Sequence, residues 1–149
     1  MFERFTLSQV DVGEASLRVR HGGSGPPLLL LHGYPETHMM WGKIADDLAA
    51  DFTVVAPDLR GYGGSSAPAE VARYRLVELA SDVAAVAAAL DDGPIVLVGH
   101  DWGAPIVWNT AIRHPDRVRA VAGLSVPHVP SSGTSIIDLL ELLYADKFF

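Results

Sequence analysis

The apolar run Ile95-Val96-Leu97-Val98 is followed without interruption by Gly99-His100-Asp101-Trp102-Gly103 and then by a stretch of helical character. No other segment constrains the chain as much. A short run of consecutive apolar residues reads as a strand buried on both faces, as in a parallel sheet. Passing from such a strand into a helix within a few residues demands a turn so tight that the positions flanking its centre must be small. Glycine stands at both, Gly99 and Gly103, and the residue held up at the centre is Asp101.

The remaining pattern supplies a sheet for that junction. Alternation over residues 5–10 and 15–20 predicts an antiparallel hairpin at a sheet edge, one face wet. After the glycine- and proline-rich turn at 21–27, residues 28–31, 52–56, 95–98 and 118–126 read as mostly apolar, buried strands. Helical spacing is predicted over 39–50, 75–90 and 102–114; in the second, Leu76, Leu79, Ala80, Val83, Val86, Ala87 and Leu90 fall on one stripe that Asp92-Gly93-Pro94 ends. Strands alternating with helices imply an α/β fold, a mostly parallel sheet with helices on both faces. Its carboxyl edge, where open α/β sheets bind ligands, would collect His32-Gly33-Tyr34-Pro35, residues 58–66, Asp101 and Pro127-His128.

Three roles compete for Asp101. An aspartate at a strand-to-helix junction can be a plain N-cap, accepting from the first free amides. It can ligate a metal, but there is no His-Glu-x-x-His helix, acidic calcium loop or cysteine to complete a ligand set, so no metal or cofactor is expected. The third role is nucleophile, which the two flanking glycines and the preceding strand favour. A carboxylate attacking carbon forms an ester that water must then break, the chemistry of epoxide or carbon–halogen hydrolysis.

Composition narrows the partners. The chain has 149 residues, 49% hydrophobic, enough for one core or part of one. A net charge of −7 without a basic stripe argues against nucleic acid. The N-terminus lacks the basic and apolar regions of a secretory signal, and the longest apolar stretch, 83–90, is far short of a membrane span, so a cytoplasmic protein without membrane contact is expected. The absence of cysteine excludes a disulfide framework.

From about residue 28 to 127 the chain resembles the α/β-hydrolase fold family in its epoxide hydrolase branch. The marks are His32-Gly33-Tyr34-Pro35, the stretch from Pro57-Asp58-Leu59-Arg60-Gly61-Tyr62-Gly63 to Ser65, the Asp101 elbow, and Ser125-Val126-Pro127, in that order. The resemblance implies an Asp101 nucleophile, an oxyanion hole made by the backbone amides of Tyr34 and Trp102, and a cis Tyr34–Pro35 bond. It makes His32, Gly33, Pro35, Gly99, His100 and Gly103 supports of the two motifs, and Tyr34, Trp102 and His128 pocket wall. His32 and His100 read as satisfied histidines rather than bases, Gly61-Tyr62-Gly63-Gly64 as a tight loop rather than a phosphate cradle.

Dehalogenases share the elbow and form the alternative. Haloalkane dehalogenases resemble the chain at Asp101-Trp102, but many carry asparagine where Tyr34 stands, and the carboxylate some take after the sixth strand has no counterpart in Leu124-Ser125-Val126-Pro127. Haloacetate dehalogenases share Tyr34-Pro35 and the style of 37–41, but resemble a pattern with arginines where this chain has Trp102 and Pro105. A small, neutral, apolar epoxide is therefore the expected substrate.

The resemblance also places a catalytic acid, a histidine and cap tyrosines on later segments. Residues 1–130 are expected to be the N-terminal part of the hydrolase core through about the sixth strand, and 131–149, with Ile136, Leu139, Leu140 and Leu143 at helical spacing, the start of a cap helix. The uncovered edge calls for a second copy of the chain or for a missing C-terminal half. A non-catalytic, ligand-binding relative of the family stays open as a third reading.

Overall fold

A computed structural model describes residues 1–90 and 93–128. The expected start of the cap lies outside these residues. The described part is built on a six-stranded sheet, β1 (Thr6–Asp11), β2 (Ser16–Gly22), β3 (Pro27–Leu31), β4 (Thr53–Pro57), β5 (Ile95–His100) and β6 (Val118–Leu124), in the spatial order β1-β2-β4-β3-β5-β6. β1, β2 and β4 pair antiparallel, whereas β4, β3, β5 and β6 run parallel. This is the fold expected from the sequence, with the hairpin at one edge.

Strand periodicity explains how so few residues make two cores. Successive side chains point to opposite faces, so Leu29 and Leu31 pack beneath α2 (Leu76–Leu90) and α3 (Gly103–Arg113), while Leu28 and Leu30 pack against Phe2, Phe5, Trp41 and Ala45. All four leucines are 5% exposed or less, which accounts for the unbroken apolar run. Val55 with Val54 and Ala56 divides β4 in the same way.

Two expectations need correction. The helix predicted over 39–50 is a 3₁₀ turn, His38–Trp41, followed by the short α1, Ala45–Leu48. Gly42 and Ile44 donate to carbonyls three residues back, and only from Leu48 onward do bonds reach four residues back. A Cβ on Gly42 would lie 2.6 Å from Met1 Sδ, so the N-terminus packs onto the break. The strand predicted over 118–126 ends at Leu124, where Ser125 turns with φ 69°, and its residues are half-buried or exposed. Among the described residues β6 is an edge strand with one neighbour, so apolarity did not imply burial on both faces. No helix among the described residues is long and apolar enough to cross a membrane.

The β4 loop is tied to α2 by a buried ion pair. Arg60 donates through Nε to Asp82 Oδ2 (2.9 Å), through Nη2 to Asp82 Oδ1 (2.6 Å) and through Nη1 to the Arg73 carbonyl (3.0 Å). The two side chains are 3% and 4% exposed, so removing one strands the other's charge in the interior. Asp82→Ala should cost about 3–5 kcal/mol in urea unfolding, and the double variant Arg60→Met, Asp82→Leu should recover most of it. A single-variant loss below about 1 kcal/mol, the range of exposed pairs, would contradict this account.

Candidate active site

The elbow is as tight as its sequence demands. A Cβ on Gly99 would lie 2.3 Å from the Gly103 carbonyl oxygen, and one on Gly103 would lie 2.5 Å from the Leu31 carbonyl oxygen. Only hydrogen at these positions lets the first turn of α3 sit on β3 and β5. The turn closes with Asp101 at φ 52°, a left-handed conformation that costs a non-glycine residue about 1–2 kcal/mol. Its backbone is pinned on both sides, the Asp101 amide donating to the Leu124 carbonyl (3.2 Å) and the Ala104 amide to the Asp101 carbonyl (3.0 Å).

The carboxylate reaches beyond the helix it precedes. The cap residue of α3 is Trp102, and no side chain caps it. Asp101 Oδ1 instead accepts from the Tyr34 amide at 2.8 Å, across from the loop after β3, and the Trp102 amide also donates to the carboxylate. Gly33 makes the approach possible, since a Cβ there would lie 2.4 Å from Asp101 Cβ. These amides, Tyr34 first and Trp102 second, hold the Asp101 pKa below the ordinary 3.8 against a small opposing effect of burial; the neighbouring His100 adds to the lowering. The group is thus a carboxylate throughout the neutral range, stabilised by main-chain donors.

Beneath the loop lies His32, fully buried. Its Nδ1 donates to the Gly33 carbonyl (2.9 Å) and its Nε2 accepts from the Leu59 amide (2.8 Å). Those partners fix the neutral Nδ1–H tautomer, because a proton on Nε2 would face the Leu59 N–H. Burial, which disfavours the charged ring, lowers its pKa against the opposing effect of the Gly33 hydrogen bond. The Tyr62 ring meets His32 edge-on at 5.1 Å, and burial, then the proximity of Tyr34 and Asp101, raises the Tyr62 phenol.

The surface around the carboxylate is apolar. Trp102, Pro105 and Val126 line a cavity of about 200 Å³ with Asp101, and Trp102 also walls a second, of about 230 Å³, with Leu59, Arg60, Tyr62, Tyr74, Leu79 and Ile106. The Tyr34 and Trp102 rings are 66% and 62% exposed. The Tyr34–Pro35 bond is cis. His100 directs Nδ1 toward Glu36 Oε2 at 3.9 Å, and neither atom has a hydrogen-bond partner among the described residues. His128 is exposed and sits edge-on to Trp108 at 5.6 Å, outside the lining of the Asp101 cavity. Among the described residues no three His, Asp or Glu side chains gather as a metal would require. Tyr34, Trp102, Asp101 and the motif glycines are therefore brought together, and His128 is not.

Sequence reasoning named Asp58 and Tyr62 only as marks of the resemblance and assigned no role to Glu36, to Tyr62 or to the pair His38–Asp58. For Glu36 there was a signal, a carboxylate directly after Tyr34-Pro35; for Tyr62 there was its place among glycines at the carboxyl edge. His38 and Asp58 are linked only through space.

A family model of the alpha/beta hydrolase fold matches residues 26–146, and the chain belongs to that family. It is 44% identical over 127 residues to an epoxide hydrolase of Caballeronia sordidicola, covering 85% of this chain and 39% of that protein. It is 44% identical over 129 residues to a fluoroacetate dehalogenase of a Burkholderia species, covering 85% of this chain and 42% of that protein. The crystal structure of an epoxide hydrolase from Vigna radiata superposes with a TM-score of 0.85 at 34% identity, covering 100% of this chain and 49% of that one. The chain thus spans less than half the length of each of these relatives.

Two outcomes follow from this geometry. Gly33→Ala should destabilise the protein by about 1–3 kcal/mol, as overpacking does, and by less when Asp101 is already glycine, since the added methyl meets the Asp101 side chain at 2.4 Å and the His100 carbonyl, which remains, at 2.8 Å. Additive losses in that double-mutant cycle would contradict the contact. His32 is held neutral in the folded chain while the unfolded chain takes up a proton below 6.5, so its contribution to stability is full above that pH and lost as pH falls through it. The urea midpoint of His32→Gln, which keeps an acceptor for Leu59, should fall less steeply below pH 6.5 than that of the unsubstituted protein; parallel slopes would contradict the assignment.

Proposed function

We propose that this chain carries the ester-forming half of an epoxide hydrolase site, with Asp101 as nucleophile. The observation that carries this reading is the carboxylate raised on a left-handed turn, with Oδ1 held at 2.8 Å by the Tyr34 amide. With Oδ1 so engaged, Oδ2 is the oxygen that attacks an epoxide carbon. The carbon–oxygen bond of the ring breaks, its electron pair passes to the epoxide oxygen, and that oxygen takes up a proton from solvent to become a hydroxyl. Oδ1 is then the carbonyl oxygen of the ester.

Water attacking Cγ in the second step would place the negative charge on Oδ1. Collapse of that oxyanion expels the diol oxygen, which takes one proton of the attacking water, and the other proton passes to solvent as the carboxylate is restored. Main-chain donors aimed at such an oxygen contribute about 10²–10³ each in rate. The amides of Tyr34 and Trp102 would serve as the oxyanion hole. Among the described residues, His32 has both ring nitrogens engaged and His128 stands against Trp108, so neither supports activation of that water.

The similarity to a fluoroacetate dehalogenase favours a second reading, attack of the same carboxylate at a carbon–halogen bond. The wall of Trp102, Pro105 and Val126 supports a neutral, apolar substrate over a halogenated acid, whose carboxylate would meet no cation among the described residues that line it. Incubation with styrene oxide should deposit an ester on Asp101, mapped by peptide mass spectrometry, up to one equivalent and absent from Asp101→Ala. An adduct on another residue, or one that survives Asp101→Ala, would overturn the assignment. Chloride release from chloroalkanes without ester formation from epoxides would move the reading to the dehalogenases.

A further inference from the structure

The Tyr34 amide sits on a loop that does little to hold itself. Its one internal backbone bond runs from the Glu36 amide to the Gly33 carbonyl (3.0 Å), and the Tyr34 ring is exposed. What fixes the loop lies at its two ends. At one end the His32 ring accepts from the Leu59 amide at 2.8 Å. At the other, His38 donates to Asp58 Oδ1 twice, through its backbone amide (2.9 Å) and through Nδ1 (2.6 Å). Both anchors come from two consecutive residues, Asp58 and Leu59, at the end of β4.

Asp58 is itself tied down on every side. Its amide donates to the Arg18 carbonyl of β2 (2.8 Å), its carbonyl accepts from Ser65 Oγ (2.7 Å), and Oδ2 accepts from the Gly64 amide (3.1 Å). Asp58 is fully buried and His38 3% exposed, with the Phe2 ring 5.4 Å away. His38 Nε2 is buried without a hydrogen-bond partner among the described residues, an unfavourable state that accompanies the placing of Nδ1 on the carboxylate. Burial pushes the Asp58 pKa up, but the hydrogen bonds from His38 and Gly64 outweigh it and hold the group ionised. The clamp is therefore charge-assisted at neutral pH.

We propose that Asp58 and His38 are positioning residues for the Tyr34 amide, transmitting the rigidity of the sheet through the two bracketing histidines to the donor that holds Asp101. The proposal deepens the reading of Asp101 as nucleophile and rests on it for its catalytic meaning. Neither residue touches the reacting atoms. Their effect is to keep one N–H at the distance where it stabilises the carboxylate and, later, the ester oxyanion.

The test follows the titration of the Asp101 carboxyl by carbon NMR in the whole 149-residue chain, without epoxide. His38→Leu removes the ring donor and keeps an apolar side chain; His38→Asn keeps a donor near the place of Nδ1. The Asp101 midpoint should rise by about half a pH unit or more in His38→Leu, as loss of a hydrogen bond to the charged form requires, and return toward the original value in His38→Asn. An unmoved midpoint in folded His38→Leu overturns the proposal. Should that variant not fold, amide hydrogen exchange of the unsubstituted protein decides: the amides of Tyr34, His38 and Leu59 should open together, and Tyr34 exchanging about 100-fold faster than the other two would break the link. A shifted midpoint in a protein that styrene oxide does not alkylate would leave the clamp standing and remove the nucleophile; alkylation with an unmoved midpoint would do the reverse.

Discussion

Backbone from three segments meets at Asp101 with no room for a single additional methyl group, and the rest of the site depends on that contact. Gly99 and Gly103 let α3 begin against β3 and β5, and Gly33 lets the next loop reach the carboxylate. The left-handed turn at Asp101 follows from this packing. Its conformational cost is borne by a sheet whose central strands are buried on both faces, so the strain is stored where the surroundings over-determine it. A carboxylate on an ordinary helix cap would face its own helix. Here it faces across the sheet edge to a donor that belongs to another loop.

The site holds its charge with dipoles. The ionisation of Asp101 is favoured first by the amides of Tyr34 and Trp102, with a smaller contribution from the neighbouring His100. Donors of this kind do not move as charge leaves the carboxylate for the epoxide oxygen and later develops on Oδ1, which would suit the carboxylate, ester and oxyanion of the proposed reaction in turn. Below, His32 and Asp58 answer the buried polar groups of the loops with internal partners.

Much of this was legible in the sequence because it is local. The elbow is written in five consecutive residues, and the two-faced burial of β3 in one run of leucines. The break at Gly42 was hidden because the apolar spacing of 39–50 suits a helix, while the choice of hydrogen-bond partner there is set by His38 leaning on Asp58 and by Met1 packing on Gly42. The exposure of β6 depends on what lies beside it, which a strand's own residues do not encode. The loop pairing of His32 with Leu59 and of His38 with Asp58 joins residues 27 and 20 apart, and no periodicity links them. The position of His128 against Trp108 likewise follows from where β6 ends.

The central claim is that Asp101 forms the ester and that main-chain amides hold its carbonyl oxygen. The most direct measurement is the infrared carbonyl stretch of the protein alkylated with styrene oxide, isolated as a difference between aspartate labelled with carbon-13 and unlabelled protein. An ester band at lower frequency in the folded chain than in the same chain unfolded is predicted, because hydrogen bonds from Tyr34 and Trp102 weaken the carbonyl bond. A band at equal or higher frequency, or no labelled ester at all, would contradict the account.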